Sequence, residues 1–335
     1  MRVLFITPRY YPFVGGVEHV VKSIAERLKD STVLCGDPNI KKIEIEQFGG
    51  VEVIKCPVFC PFDSYHIPKK IGEIKETLKK ISREIDIVHV HSAHSVFSVY
   101  CGTLIKKINK DLDVVFTPHY IGIRGGFNKL LWSLWKQKLS QLLRVSKKIQ
   151  LLSPTEKDNF SSIFPFTEKK LVIIPNGVEK DVFNYKNKGD SNYLLFSGRI
   201  EKYKGIDILP KLGEILNVDV LLIGRGNYIK KLKKYKNVSV LPPQKRSKYL
   251  EFLASAKYAA NPSVYEALSV FVLESLALGT PIFVTKPILK SIQTFIVDAD
   301  SAPIKINRRE LYLVKQSKVP SWDEIVEQII SNLYK

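Results

Sequence analysis

The chain has 335 residues, 45% of them hydrophobic, which is long enough for two domains with separate cores. Its 52 Lys and Arg against 33 Asp and Glu give a formal net charge of +19, which favours polyanionic partners: nucleotide phosphates, an anionic membrane or nucleic acid. No apolar run reaches the ~18 residues that a spanning helix needs, and the short run at residues 1–8 predicts a strand rather than a secretion signal. We therefore expect a cytoplasmic protein.

The first strand, near residues 3–6, runs into a loop with Gly15 and Gly16 and then into a helix that starts near Val17. A strand, a glycine loop and a helix N-terminus together offer main-chain N–H groups to an anion. A tight strand-to-helix turn explains the same residues equally well, so both interpretations stay open here.

Two later strands lead to histidines. The strand at 86–91 places His89 and His91 on one face, which suggests a metal site. No carboxylate or cysteine lies at ligand spacing, so a structural role is the stronger interpretation. The strand at 114–117 is followed by His119, and loop residues at the carboxyl end of a parallel strand face the ligand crevice.

The segment 114–155 contains no acidic residue and interleaves basic residues with leucines and tryptophans. Such a helix is typical of a membrane interface, and equally of an amphipathic helix that packs on its sheet with a basic outer face. The first interpretation predicts an acceptor-side surface that docks peripherally on anionic membrane. Its residues are Arg124, Lys129, Trp132, Trp135 and Lys136.

Strand and helix signals alternate through both halves, which predicts an α/β protein with parallel sheets covered on both faces. A polar connector at 186–192 predicts the domain boundary. We expect an N-terminal domain over 1–185, a C-terminal domain over 186–320 and a terminal helix over 321–335 that returns to the first domain.

Two weaker motifs are discounted. Gly224 and Gly226 follow a strand, but the third glycine of a dinucleotide-binding fingerprint would fall at Ile229. Asp298 and Asp300 have the form of a metal-binding pair, although a surface turn explains them better. We therefore expect no cofactor and no bound metal.

A basic loop follows the strand at 193–197 and carries Arg199 and Lys204 before Gly205. Two cations at a strand end can neutralise a diphosphate as it leaves during group transfer. A solvated basic loop has the same composition, so this motif gains its meaning from the stretch that comes later in the chain.

That stretch, residues 261–281, has the strongest signal. Asn-Pro-Ser breaks regular structure, Ser269 can cap the helix that follows, and Glu266 and Glu274 bracket its start with seven residues between them. A helix N-terminus suits phosphate, and the two carboxylates can accept hydrogen bonds from sugar hydroxyls. The alternative is an ordinary helix cap with a solvent-facing Glu274.

The order of these motifs resembles that of the retaining glycosyltransferases of family 4, which have the two-domain GT-B fold. The matching segments are 12–18, 86–91, 117–119, 175–178, 197–205 and 262–281. Two departures stand out: the family usually has Phe-Gly in place of Leu268-Ser269, and it commonly has Gly-Gly-x-x-Glu where this chain has Pro287–Gln293. The second departure concerns the donor-sugar side and hence the choice of sugar.

The resemblance implies two Rossmann-like, doubly wound parallel-sheet domains facing across a cleft. It also implies an enzyme that transfers a hexose from a nucleoside diphosphate-sugar to a glycan or lipid-linked acceptor. The transfer would need no metal and would retain the configuration at the anomeric carbon. The implied catalytic residues are His119, Glu266, Arg199 and Lys204, and the implied donor-binding residues are Gly15, Gly16, Arg199, Lys204, Ser269 and Glu274. Glu274 would take the ribose hydroxyls, while Glu266 and His119 would flank the donor sugar.

Three other functions stay open at this point, one of them a degenerate scaffold that binds a nucleotide without turnover. A nucleotide-sugar epimerase shares the architecture. A non-catalytic nucleic-acid binder would explain the charge of +19, although the aromatic residues do not alternate with the basic ones as stacking platforms would.

Overall fold

A computed structural model of the chain describes residues 1–13, 15–61, 65–120, 126–264 and 266–335, with the side chains of 126–131 excepted. Arg124 and the side chain of Lys129, both assigned above to an acceptor-side surface, lie outside the described residues. Tyr265 in the stretch 261–281 and Val14 in the glycine loop also lie outside them.

The chain divides into two compact units: unit 1 comprises Met1–Pro175 and Asp323–Lys335, and unit 2 comprises Asn176–Trp322. The change-over at 175–176 comes earlier than the 185–186 boundary that the polar connector predicted. The reason is local pairing, because Val178 forms a β-bridge with Ser321. The Val178 N–H donates to the Pro320 carbonyl, and the Trp322 N–H donates to the Val178 carbonyl. Residues 176–185 are therefore already tied to unit 2.

Unit 1 is built on a mostly parallel sheet. Its strands are β1 (Val3–Thr7), β2 (Ser31–Asp37), β3 (Glu44–Phe48), β4 (Val51–Phe59), β5 (Ile67–Pro68), β6 (Ile87–His91), β7 (Asp113–Thr117), β8 (Lys148–Leu151) and β9 (Leu171–Ile173). They lie in the order β3-β4-β2-β1-β6-β7-β8-β9, with β5 paired to β4; β3 and β5 run antiparallel to β4. The central strands β1 and β6 are buried along their whole length, as expected of parallel strands covered on both faces.

Helices cover this sheet. They are α1 (Gly16–Ala25), α2 (Ile71–Ile81), α3 (Val96–Ile108), α4 (Gly126–Val145), α5 (Pro154–Ile163) and, at the end of the chain, α11 (Trp322–Ile329), whose last residues lead into a π-helical turn over Ile330–Tyr334. The lysine-rich helix α2 begins at Ile71, after Ile67 and Pro68 have paired with β4. Leu139, Leu142 and Leu143 of α4 lie in the core beside β6 and α3.

Unit 2 is also built on a mostly parallel sheet, but the strands toward its edges differ from those of unit 1. Its strands are β10 (Ser191–Ser197), β11 (Asp219–Ile223), β12 (Val238–Leu241), β13 (Ala256–Asn261), β14 (Ile282–Thr285), β15 (Ile296–Ala299), β16 (Ile304–Ile306) and β17 (Arg309–Ser317). The order is β12-β11-β10-β13-β14-β17-β15, with β16 paired to β17. The five strands from β12 to β14 are parallel, whereas β17 is antiparallel to all its partners.

The helices of unit 2 are α6 (Leu209–Leu216), α7 (Ile229–Leu232), α8 (Arg246–Ser255), α9 (Val270–Leu278) and α10 (Lys286–Ile292). The predicted helix over 270–278 is confirmed: Ser269 occupies the position before its first residue, and Gly279 ends it in the left-handed region with φ 80°. The strand β13 before it was not predicted. The antiparallel hairpin β16–β17 was not predicted either.

Candidate active site

The basic loop after β10 and the stretch after β13 meet at one edge of the unit 2 sheet. The two strands are parallel neighbours, so Ser197 and Asn261 end them on the same side. Lys204 forms an ion pair with Glu266 there, and the two side chains are only 15% and 16% exposed. The sequence had given these residues separate tasks; the structure brings them together.

Gly205 explains why the loop can approach so closely. Its φ of 76° favours glycine, and a Cβ there would lie 2.3 Å from the carbonyl oxygen of Pro262. Arg309 Nη1 donates to the Gly205 carbonyl and to Asp207 Oδ1, both at 2.8 Å. The loop is thus clamped between the start of the 261–281 stretch and β17. Sequence reasoning missed Arg309, since it lies far along the chain in no motif.

Arg199 differs from Lys204 in being exposed. Its guanidinium carbon lies 5.7 Å from the centre of the Tyr203 ring. Within the described part of the chain it has no carboxylate partner, so its charge is available to an anion arriving at this edge. The two predicted diphosphate-binding cations therefore lie on one loop, one held by a carboxylate and the other not.

Glu274 is buried on α9 and engaged by two side chains of α8. Arg246 pairs with Glu274 Oε1, and the Tyr249 hydroxyl donates to Glu274 Oε2 at 2.6 Å. Arg246 also donates to Asp181 from Nε and Nη2, at 3.0 and 3.1 Å. Burial and the Glu274 carboxylate raise the pKa of Tyr249 well above its ordinary value, so its hydroxyl stays a donor. The alternative of a solvent-facing Glu274 is wrong. Its oxygens retain lone pairs, so the ribose assignment stays a prediction.

Ser269 does not cap α9 with its side chain. Its Oγ instead accepts a hydrogen bond from Asn261 Nδ2 at 3.0 Å, which ties the last residue of β13 to the helix start. The expectation of a side-chain cap is therefore wrong, because Asn261 competes for the hydroxyl. The first-turn N–H groups of α9 donate no hydrogen bond to the Ser269 side chain.

In unit 1, the three histidines predicted from strand ends form a chain of contacts in which His89 and His91 are buried and His119 is half-buried. His91 Nδ1 lies 3.0 Å from His119 Nε2, and His89 contacts Thr117 Oγ1 and the Tyr334 hydroxyl, each at 2.7 Å. Burial lowers the pKa of His89 to about 3 and that of His119 to about 4, so both rings are neutral at physiological pH. Over the described residues, no group of three His, Cys, Asp or Glu is placed to hold a metal ion.

The glycine loop before α1 carries a carboxylate of its own. A Cβ on Gly15 would lie 2.3 Å from Glu18 Oε2, so the Glu18 side chain folds over Gly15 at the helix start. Gly16 is the first helical residue, with open space around it. A phosphate at this N-terminus would meet the Glu18 charge first, and binding there requires that side chain to turn away.

Glu156, at the start of α5, positions the turn beside His119 and was missed by sequence reasoning. It is 1% exposed and accepts the backbone N–H groups of Tyr120 at 2.5 Å and Leu152 at 2.7 Å. Burial raises its pKa to about 7. Ser153 accepts from the Glu156 N–H as in a capping box, and that Ser-x-x-Glu spacing was the available signal.

The tryptophans of α4 face the core of unit 1. Trp135 Nε1 donates to the Ala93 carbonyl at 2.8 Å, and the Trp132 ring lies 5.7 Å from that of Tyr120. Lys136 lies over the ring of Phe164 at 5.5 Å. Both tryptophans are therefore half-buried against this core, and their assignment to an acceptor-side membrane surface stays a prediction. Among the described residues, no helix is both long and apolar enough to span a membrane.

Residues 14–182 match the family model described as Glycosyltransferase Family 4, and residues 177–332 match the one described as Glycosyl transferases group 1. The chain belongs to glycosyltransferase family 4. The resemblance drawn from the motifs is confirmed, and the family 4 glycosyltransferase carries both matched regions in chain order.

Relatives of this glycosyltransferase span most of its length. It is 24% identical over 302 residues to an uncharacterized glycosyltransferase of Methanocaldococcus jannaschii. The matched region covers 83% of this chain and 77% of that relative. It is 21% identical over 312 residues to a D-inositol 3-phosphate glycosyltransferase of Catenulispora acidiphila, which covers 80% and 73%.

Solved structures agree on the fold of the glycosyltransferase. An Anabaena protein in complex with UDP-glucose gives a TM-score of 0.64 at 14% identity, over 99% of this chain and 90% of its own. The catalytic domain of starch synthase IV from Arabidopsis thaliana, bound to ADP and acarbose, gives 0.64 at 13% identity, over 100% and 92%. Together with the two α/β units, these likenesses confirm the GT-B fold.

Proposed function

We propose that this glycosyltransferase moves a hexose from a nucleoside diphosphate-sugar to an acceptor, with retention at the anomeric carbon. The observation that carries the proposal is the edge of the unit 2 sheet where Arg199, Lys204 and Glu266 come together. An unpaired cation beside a second cation held by a carboxylate suits a diphosphate. The solved neighbours that hold UDP-glucose or ADP support a nucleotide-linked donor.

The proposed chemistry rests on charge. As the bond between the sugar and the diphosphate breaks, negative charge grows on the leaving phosphate, and Arg199 and Lys204 would stabilise it. Lys204 is 15% exposed, so its attraction for that charge is screened less than in open water. The ion pair with Glu266 fixes the position of Lys204, and Glu266 would itself face the sugar. Because side chains supply the positive charge, we propose that the reaction needs no metal.

The remaining assignments belong to the same proposal. Glu274 would accept the ribose hydroxyls, and the N–H groups at the starts of α1 and α9, beside Gly15, Gly16 and Ser269, would add to phosphate binding. His119, kept neutral by burial, would serve the transferred sugar as a hydrogen-bonding group rather than as a cation.

Substitution of the two cations tests the proposal. A thermal-shift panel of UDP-, GDP- and ADP-sugars first identifies the donor, since ligands of the native state raise its stability. We expect Arg199→Ala and Lys204→Ala each to lower kcat/KM for transfer by about 10²-fold, in excess EDTA, as for the loss of a charge partner in the transition state. Lys202→Ala, an exposed lysine of the same loop, is the matched control and should keep wild-type activity.

Three results would contradict it. Wild-type rates in both variants would remove the diphosphate assignment. Loss of activity in EDTA with rescue by Mn²⁺ would show that a metal is required. Sugar epimers released without any acceptor, detected by NMR of the incubated donor, would instead identify an epimerase.

For the acceptor, we propose a lipid-linked glycan or lipid that meets unit 1 at a groove between α3 and α4. The groove, of about 350 Å³, has an apolar lining that includes Tyr100, Leu104 and Trp135. Lys107 and Lys138 stand among its lining residues, and neither has a carboxylate partner among the described residues. Apolar walls with two cations complement a lipid that carries an anionic head, and each basic residue near an anionic surface adds about 1 kcal/mol of attraction.

Sedimentation with vesicles tests the acceptor proposal. We expect the wild type to pellet with phosphatidylglycerol vesicles but not with phosphatidylcholine vesicles, and salt to weaken the binding. Lys107→Gln with Lys138→Gln should reduce the pelleted fraction several-fold, whereas Lys79→Gln with Lys80→Gln, on α2, should reduce it less. If the wild type stays in the supernatant with anionic vesicles at low salt, the acceptor is a soluble glycan.

A further inference from the structure

The hairpin β16–β17 places two arginines at the active edge of unit 2. β17 pairs antiparallel with β14, with Leu311 opposite Thr285, so Arg309 at its start lies beyond the carboxyl end of β14. Ile306 pairs with Arg309, which leaves Asn307 and Arg308 as the turn, and Asn307 has the positive φ of 54° that such a turn favours. β13 and β14 are parallel neighbours, so the turn shares an edge with Glu266.

A cavity of about 340 Å³ opens beneath this turn. Its walls carry four cations, Lys286, Lys305, Arg308 and Arg309, and one carboxylate, Glu310. Val264, two residues before Glu266, is part of the same wall. The cavity therefore adjoins the proposed sugar-transfer site, and its lining is strongly positive.

Two of the four cations are already balanced. Arg309 pairs with Asp207 at 2.8 Å, and Lys305 pairs with Glu310 at 3.4 Å. Lys286 and Arg308 have no carboxylate partner in the part of the chain that the structure describes, and both are exposed residues of the cavity lining. Both charges can therefore form charge-assisted hydrogen bonds with an anion that enters the cavity.

We propose that this cavity binds an oxyanion carried on a sugar substrate: the carboxylate of an acidic donor sugar or a phosphate on the acceptor. The inference rests on the proposed function, because it makes Lys286 and Arg308 the residues that select among sugars at that same site. Carboxylate and phosphate share the chemistry that a lysine and an arginine recognise, namely an oxyanion that accepts charge-assisted hydrogen bonds.

The test compares sugars that differ only in charge. Calorimetry first measures binding of UDP, GDP and ADP alone, which reports on the nucleotide site. The nucleoside diphosphate that binds is then compared as its glucose and glucuronate conjugates, and glucose 6-phosphate is titrated against glucose with that nucleotide present. Inorganic phosphate is titrated in parallel. The proteins are the wild type, Lys286→Gln with Arg308→Gln, and the control Lys230→Gln with Lys234→Gln, two exposed lysines elsewhere on unit 2.

We expect the wild type to prefer one charged sugar over its neutral counterpart by about tenfold or more, as for a charge-assisted hydrogen bond. The glucuronate arm places the oxyanion on the donor, and the glucose 6-phosphate arm places it on the acceptor. The cavity variant should lose the preference while still binding the nucleoside diphosphate, and the control should keep both.

Equal affinity of the wild type for charged and neutral sugars would overturn the inference while leaving the proposed function intact. A preference that survives in the cavity variant would overturn it as well. If no nucleoside diphosphate binds, the proposed function fails. The cavity is then judged by inorganic phosphate and glucose 6-phosphate alone, and unchanged affinities in the variant would overturn it.

Discussion

Single residues in the candidate site are held by partners far away in the chain. Glu274 on α9 is 4% exposed, and its charge is balanced by Arg246, which Asp181 holds from the other side. Glu266 is balanced by Lys204 across 62 positions of sequence. Each acidic residue that the sequence assigned to sugar contacts therefore carries a structural ion pair as well.

Substitution of Arg246 should leave the buried Glu274 carboxylate without its charged partner and so lower the stability of the fold. We expect Arg246→Met to lower the free energy of unfolding by about 2 kcal/mol, less than for a fully buried pair because water reaches the partly exposed guanidinium. Lys248→Met, which breaks an exposed pair with Glu251 on the same helix, should cost under about 0.5 kcal/mol.

Urea denaturation measures both variants. Adding Glu274→Leu to Arg246→Met should recover part of the loss, because the buried charge is then gone. Equal losses in the Arg246 and Lys248 variants would show that the Glu274 pair contributes no more than a surface contact.

At the scale of elements, helix ends and strand identities followed from the sequence where local chemistry decides them. The helix predicted to follow Ser269 does begin at Val270, since a helix start depends on residues within one turn. The strand β17 was missed because its antiparallel direction depends on a partner, β14, at some distance in the chain. The packing of Trp135 was missed for the same reason, because only its hydrogen bond to Ala93, in the turn between β6 and α3, reveals which face of α4 is covered.

Two glycines have open space around them, so substituting them with alanine measures the effect of backbone conformation without a packing clash. Gly279 ends α9 with φ 80°, and we expect Gly279→Ala to destabilise the protein by about 1 kcal/mol through that left-handed conformation alone. Gly72 lies within α2 with no such φ, and Gly72→Ala should stabilise by about 0.5–1 kcal/mol because alanine favours helix.

Thermal unfolding of the two alanine variants in parallel provides the measurement. The signs should be opposite. A neutral or stabilising Gly279→Ala would mean that the helix end relaxes without cost.

For the whole molecule, buried titratable groups make stability depend on pH in two opposing ways. His89 and His119 have folded-state pKa values of about 3 and 4, below the ordinary 6.5, and burial lowers the pKa of His91 too. Below pH 6.5 the unfolded chain therefore binds more protons, and stability falls as the pH drops toward 4. Glu156 acts oppositely: its pKa is raised from 4.5 to about 7, so stability contributed by its protonated form is lost as the pH rises between those values.

Three histidines outweigh one glutamate, so we expect the free energy of unfolding to fall from pH 6.5 to pH 5, at most by about 1.4 kcal/mol per pH unit for each histidine. Glu156→Gln removes the opposing contribution, and its stability relative to the wild type should increase from pH 5 to pH 8. Denaturation at pH 5, 6, 7 and 8 checks both statements. A flat profile in the wild type would contradict the burial of neutral histidines.

The overall architecture was predictable because alternating strands and helices require parallel sheets, whatever the side chains at their ends do. The charged and hydrogen-bonded contacts that hold the site residues in place were not predictable from the sequence. Arg309 and Tyr249 act through contacts that no periodicity encodes, since their partners come from other elements.

The order in which the units appear along the chain bears on their synthesis. Residues 176–322 form unit 2 without a break, whereas unit 1 needs 323–335 to join residues 1–175. Tyr334, whose hydroxyl contacts His89, leaves the ribosome only after all of unit 2. While unit 2 is being synthesised, the unit begun first therefore still lacks the segment that covers His89 on β6, and unit 1 can be completed only after the last residues of the chain have been made.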